Sequence, residues 1–194
     1  MKKTLMIIGI LLLIIALPFS SMVVETMTAQ TDPVKEVREG DVIFQTSQSQ
    51  QSPLIQIATR SKISHCGIIV MKDGEPYVLE TLKTLVITPL DKFIARGKGG
   101  RYWLKRSNIE NIKIKYDSYL GKPYDLAFKF DNDKFYCSEL IYDIYKNQLG
   151  IELCEPKKVS DYLILGTDKL PMIEKAMKKR GITKEQYEVA PVDV

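Results

Sequence analysis

The sequence predicts an α+β domain in which a small antiparallel sheet packs against separate helices. Three observations carry this. Short apolar runs are joined by tight turns, above all Asp73-Gly74, a strong hairpin signal. Segments with apolar residues at helical spacing stand apart from those runs, most clearly Leu140, Ile141, Ile144, Tyr145 and Leu149. The chain has 194 residues, 45% of them hydrophobic, enough for one domain with a real core and too few for two comfortable ones.

The elements follow in order. Lys2-Lys3 precedes an apolar run from Leu5 to Leu17, then Pro18 and Ser20-Ser21, the plan of a signal peptide. Cleavage would follow Ser21 or Ala29. Met22, Val23 and Val24 extend the apolar character, so an uncleaved membrane anchor over 5–24 is the rival reading. No cysteine follows the run, which argues against a lipidated N-terminal cysteine. Either way the domain is expected outside the inner membrane, in the periplasm or tethered facing it. The organisation is therefore a leader at 1–29, a linker at 30–38 and a domain at 39–194.

Gly40-Asp41 turns into a strand over Val42–Gln45, and a Ser/Gln-rich loop follows. Ser52-Pro53 starts a short helix to Thr59, with serine as N-cap and proline at the first position. His65–Met71 and Tyr77–Thr81 form the hairpin, and Leu85–Thr88 reads as a further strand. A helix runs from Thr88-Pro89 to Ala95, a flexible turn spans Gly97–Gly100, and Arg101–Arg106 alternates as a strand. Ser107 or Asn108 is placed as the cap of a helix reaching Leu120. A helix opening near Cys137 ends at Gly150, where a C-terminal cap belongs. Leu170–Lys179 is the last helix, and the tail from Thr183 is polar.

Net charge is +4, with no dense basic stripe interleaved with aromatics, so nucleic acid is not an expected partner. The three cysteines, Cys66, Cys137 and Cys154, make no disulfide framework, although a Cys66–Cys154 pair stays open. A single histidine and no Cys-x-x-Cys pair argue against a structural zinc site. No motif asks for a metal or a redox cofactor.

Cys137 falls in the first helical turn, where free amides and the helix dipole favour a thiolate. A cysteine hydrolase needs its nucleophile there; the plain alternative is a small buried apolar residue. A thiolate hydrolase also needs a base, and the chain holds one histidine, His65. Across the Asp73-Gly74 turn Glu80 comes near the register of His65. On a mostly apolar strand an unpaired carboxylate is costly, so Glu80 is the candidate orienting acceptor, with a solvated edge charge as the alternative. Because side chains alternate along a strand, Cys66 is expected to face away from His65 and outside the site.

The segments GDVIFQ (40–45), ATRSKISHCGIIV (58–70), EPYVLET (75–81), TPL (88–90), YLGKPYD (119–125) and FYCSEL (135–140) together resemble the YiiX-like permuted papain-fold amidases. These are relatives of the NlpC-type cell-wall peptidases and of the lecithin:retinol acyltransferases. The resemblance spans Gly40 to Ile151 and implies a circularly permuted papain-like fold, the histidine strand preceding the cysteine helix. It implies Cys137 as nucleophile, His65 as base and Glu80 as the third, polar member. Tyr124 matches the tyrosine beside the cysteine in the related peptidases, which implies help in holding an oxyanion or substrate. Those peptidases carry Asp before the cysteine, whereas this chain has Tyr136, so their choice of peptide end is not carried over. The implied substrate is a peptide or other small amide, peptidoglycan-derived or lipid. Acyl transfer and a non-catalytic binding module are the alternatives.

Overall fold

The computed structural model describes residues 37–130, 132–163 and 168–194. The expected leader, and the linker up to residue 36, lie outside them. No helix among the described residues is long and apolar enough to cross a membrane.

Five antiparallel strands form the sheet: β1 (Val42–Ser47), β2 (His65–Lys72), β3 (Glu75–Thr81), β4 (Leu85–Pro89) and β5 (Gly97–Lys105), in the order β4-β3-β2-β1-β5. Alternation along each strand sends side chains to two apolar layers. Val42, Phe44, Cys66, Ile68, Val70 and Leu79 face one side, and Ile43, Ile69, Val78 and Tyr102 the other. Helix α2 (Leu90–Arg96) covers the second side with Leu90 and Phe93. Helix α3 (Cys137–Leu149) covers the first with Leu140, Ile141, Ile144 and Tyr145. Gly150 closes α3 in the left-handed region at φ 70°, as expected of a glycine cap. The α+β arrangement predicted from sequence is the one found.

The remaining helices are α1 (Ser52–Thr59), α4 (Val159–Tyr162) and α5 (Leu170–Arg180), and a small ribbon pairs β6 (Lys157–Lys158) with β7 (Tyr187–Glu188). Ser52 is not the cap of α1. Gln51 holds that position without a side-chain bond, and the Ser52 hydroxyl instead shares a hydrogen bond with the Ser64 hydroxyl at 2.6 Å. Ser64 also accepts from the Ser47 amide at 2.9 Å and donates its own amide to the Gln45 carbonyl at 3.1 Å. The residue before His65 is thus pinned on three sides.

Two further expectations fail. Residues 107–120 form no helix. Ile112 and Ile114 are buried while Lys113 and Lys115 are exposed, a period of two that belongs to extended chain. The backbone there is satisfied by side chains: Glu39 accepts from the Ile114 amide at 2.8 Å, and Gln148 bonds both the amide and the carbonyl of Lys115. The Gly97–Gly100 stretch is not a free turn but the first part of β5, with Gly97 in register with Ser47 beside a bulge in β1.

The C-terminal tail is part of the core. Val189 and Val194 join the main apolar cluster. Ser138 donates to the Val189 carbonyl at 2.6 Å, and the Val189 amide donates to the Tyr136 hydroxyl at 3.0 Å. The tail therefore grips the turn that carries Cys137.

Candidate active site

Cys137 is the first residue of α3, and Tyr136 before it is extended. The Glu139 carboxylate accepts from the Tyr136 amide at 3.3 Å, which fixes the entry into the helix. Cys137 is buried, at 3% exposure. Cys137 packs in one cluster with Cys66, and its thiol interacts electrostatically with Cys66 and with His65.

His65 opens β2. Its Nε2 meets Glu80 Oε2 at 2.7 Å, which leaves Nδ1 as the ring nitrogen for the thiol. The register that pairs Ile68 with Leu79 extends to place Glu80 beside Gly67, on the same sheet face as His65. Gly67 matters here: a Cβ would lie 2.3 Å from Val78 Cγ1 and 2.9 Å from the Leu79 carbonyl oxygen. No larger residue fits without moving β3, which carries Glu80.

Glu80 is fully buried and does not serve His65 alone. Thr88 donates to Oε1 at 2.6 Å. Arg96 Nη2 reaches both carboxylate oxygens, at 2.5 and 2.6 Å. Phe93, one helical turn before Arg96, stacks on the His65 ring with centroids 5.8 Å apart, and the Arg96 guanidinium stands 5.8 Å from the same Phe93 ring. Helix α2 thus carries one side chain that backs the imidazole and another that neutralises its carboxylate.

The charges settle accordingly. Burial alone would lower the pKa of His65, but hydrogen bonds to Cys137 and Glu80, and their charges, lift it to about 9. Burial would raise that of Glu80; the bonds from His65, Arg96 and Thr88 outweigh it and hold the carboxylate below its ordinary range. Cys137 is held well below an ordinary thiol, chiefly by the Cys66 hydrogen bond and then, against burial, by His65. Burial pushes Cys66 well up, so of the two thiols Cys137 is the one favoured as thiolate, with His65 favoured as imidazolium.

The expectation that Cys66 lies outside the site is wrong. Alternation holds, because Cys66 faces α3 and His65 faces α2. But Cys137 rides on α3, on the Cys66 side, and His65 reaches the sulfur only because it is the first residue of its strand. Tyr124 is held by its amide to the Lys83 carbonyl at 3.0 Å. Burial, then the charges of Cys137 and Cys66, push its phenol well up, so the hydroxyl stays neutral on a residue bridged to Phe135, two positions before Cys137.

Residues 36–194 match the family of permuted papain-like amidase enzymes, YaeF/YiiX, C92. This chain belongs to that family. Among the C92 relatives, the uncharacterized protein YiiX of Escherichia coli K12 is 35% identical over 162 residues, 78% of each chain. A crystal structure of YiiX from Escherichia coli O157:H7, described as a metalloprotein, superposes with a TM-score of 0.70 at 36% identity, covering 81% of this chain and 91% of that one. The family gives the papain-like fold in permuted order and, at family level, a cysteine amidase. Among the described residues of this C92 chain, no three His, Cys, Asp or Glu side chains are grouped to hold a metal ion, so the donor set that a resident metal requires is not found there. All three cysteines are free in the structure.

Sequence reasoning missed Arg96, Thr88, Phe93 and the place of Cys66. Arg96 is testable directly. Replacing it with methionine removes two charge-assisted bonds to Glu80. The carboxylate then protonates at higher pH, and while ionised it pulls harder on the His65 proton. Both limbs of the pH profile for alkylation of Cys137 should move to higher pH, whereas loss of packing alone would lower the rate without moving either limb.

Proposed function

We propose that this chain is an exported cysteine amidase in which Cys137, His65 and Glu80 act together. The observation that carries the reading is the 2.7 Å hydrogen bond between His65 and the buried Glu80, with Cys137 at the start of α3 coupled electrostatically to the same imidazole. The Cys137 thiolate attacks the amide carbonyl. The Cys137 amide and the Tyr124 hydroxyl face the oxyanion. His65 gives its proton to the leaving amine, and an acyl-enzyme remains. His65 then takes a proton from water, whose oxygen displaces the sulfur. Glu80 keeps the ring turned, and Arg96 keeps Glu80 ionised. The export element rests on the sequence pattern of residues 1–29.

A second reading concerns what the acyl group is. A cleft opens beside Cys137 between α1, α4, α5 and the tail, lined by Leu54, Ala58, Val159, Ile173, Met177 and Val189 among others. Such walls suit an apolar acyl group better than a charged cell-wall peptide. This favours an acyl amide, or an acyl-transfer or lipid-hydrolase variant on the same residues.

The test is alkylation. At pH 6 iodoacetamide should label Cys137 at least about 100 times faster than Cys154, as expected of a thiolate against an ordinary thiol. His65→Ala should abolish that difference. Equal slow labelling of both cysteines would sink the proposal.

A further inference from the structure

The cleft beside Cys137 is apolar except for a few groups, and besides Cys137 itself the charged side chains that line it among the described residues are Arg180 and Glu188. Arg180 stands in the last turn of α5. It makes no ion pair with any described residue. It lines the same cleft as Cys137, and its charge reaches the Tyr124 phenol. Glu188 is not its counter-ion. Burial and the charge of Asp193 push that carboxyl up to about 7, whereas a neighbouring guanidinium would draw it down. A cation left without a partner in an apolar cleft is matched when a ligand brings the anion.

Resting on the proposed amidase, we infer that Arg180 selects the substrate: an N-acyl amino acid, with an apolar acyl chain in the cleft and a free carboxylate on the amine side bound by Arg180. The carboxylate is preferred to phosphate because Arg180 is the only cation lining the cleft among the described residues, and a phosphate carries up to about two charges. The reaction balances as hydrolysis. The carbonyl carbon bonds to sulfur and the C–N bond breaks, the amine nitrogen taking the His65 proton. Water then bonds to that carbon and the C–S bond breaks. The products are a fatty acid and a free amino acid.

Three amides with one acyl chain serve as the test: N-lauroylglycine, N-lauroyl methylamide and N-lauroyl-phosphoethanolamine, with wild-type full chain and Arg180→Met. The expected result is that kcat/KM for N-lauroylglycine exceeds that for the methylamide. It should fall about 10- to 100-fold in Arg180→Met, the worth of one charge-assisted contact, with the methylamide unchanged and Arg180→Lys intermediate. Equal falls for glycine and methylamide substrates, no fall for either, or a preference for the phosphate compound would overturn the inference. Iodoacetamide labelling of Cys137 in the same samples separates the two levels. A reactive Cys137 with no preference for the carboxylate sinks only the role of Arg180, and a reactive Cys137 with none of the three cleaved also overturns the substrate class. An unreactive Cys137 with none cleaved sinks the amidase itself.

Discussion

Replacing Cys137 with alanine should abolish turnover of an acyl amide, lowering kcat by about 10⁴-fold or more, and His65→Ala should cost nearly as much. The reason is that sulfur and imidazole do one job. The Cys66 hydrogen bond and the His65 imidazolium together favour the thiolate, and the imidazolium is the acid that releases the amine. Side chains that act as a unit lose their effect together, so the double variant should be no slower than Cys137→Ala alone. Multiplying losses would mean that the two act separately. Stability should respond differently: Cys137→Ala removes a charged group from a site with 3% exposure, so the variant should fold well and remain a valid control. Burst kinetics with an activated ester should release one equivalent per chain in the wild type and none in Cys137→Ala.

Much of this arrangement was legible in the sequence, and the misses have physical causes. Helix α3 is strongly periodic and ends at a glycine, so its start near Cys137 could be read directly. The hairpin joining His65 to Glu80 is marked by Asp73-Gly74, and Asp73 takes a positive φ of 54°. Residues 107–120 misled because Ser107 and Asn108 imitate a helix cap, while the decisive signal was the alternation of Ile112 and Ile114 between lysines. Arg96 looked like an ordinary charge at the end of a short helix. Nothing local shows that its side chain folds back to a carboxylate 16 positions earlier. Cys66 was excluded by reasoning about one strand, when the answer depended on which side of the sheet α3 lies. Pairings between distant elements are set by packing, and a periodicity has no view of them.

Glu80→Ala should destabilise the fold by about 3 kcal/mol at pH 6, measured by urea unfolding. Glu80 has no exposed surface and accepts from His65, Thr88 and Arg96. Removing it strands a buried imidazolium and a guanidinium, and breaking a buried pair from one side costs about 3–5 kcal/mol. The low end applies because the Arg96 side chain is 39% exposed and water can take over part of its solvation. The pH dependence follows from the directions of the shifts. Glu80 is depressed from 4.5, so its contribution is full above pH 4.5 and is lost as pH falls through the folded value. His65 is raised from 6.5 to about 9, so its contribution is full below pH 6.5 and is lost as pH rises through 9. Cys137 is held well below 9, so its contribution grows as pH rises towards 9 and offsets the His65 loss; wild-type stability from this cluster should therefore rise up to about pH 6.5 and stay level to about pH 9. In Glu80→Ala the part of the acid-side loss that comes from the carboxylate should vanish, leaving the part that comes from Cys137. Glu80→Gln keeps the volume and removes the charge. If it is as stable as wild type at pH 6 with an unchanged alkylation profile, the carboxylate is a spacer, and neither His65 nor Arg96 depends on its charge.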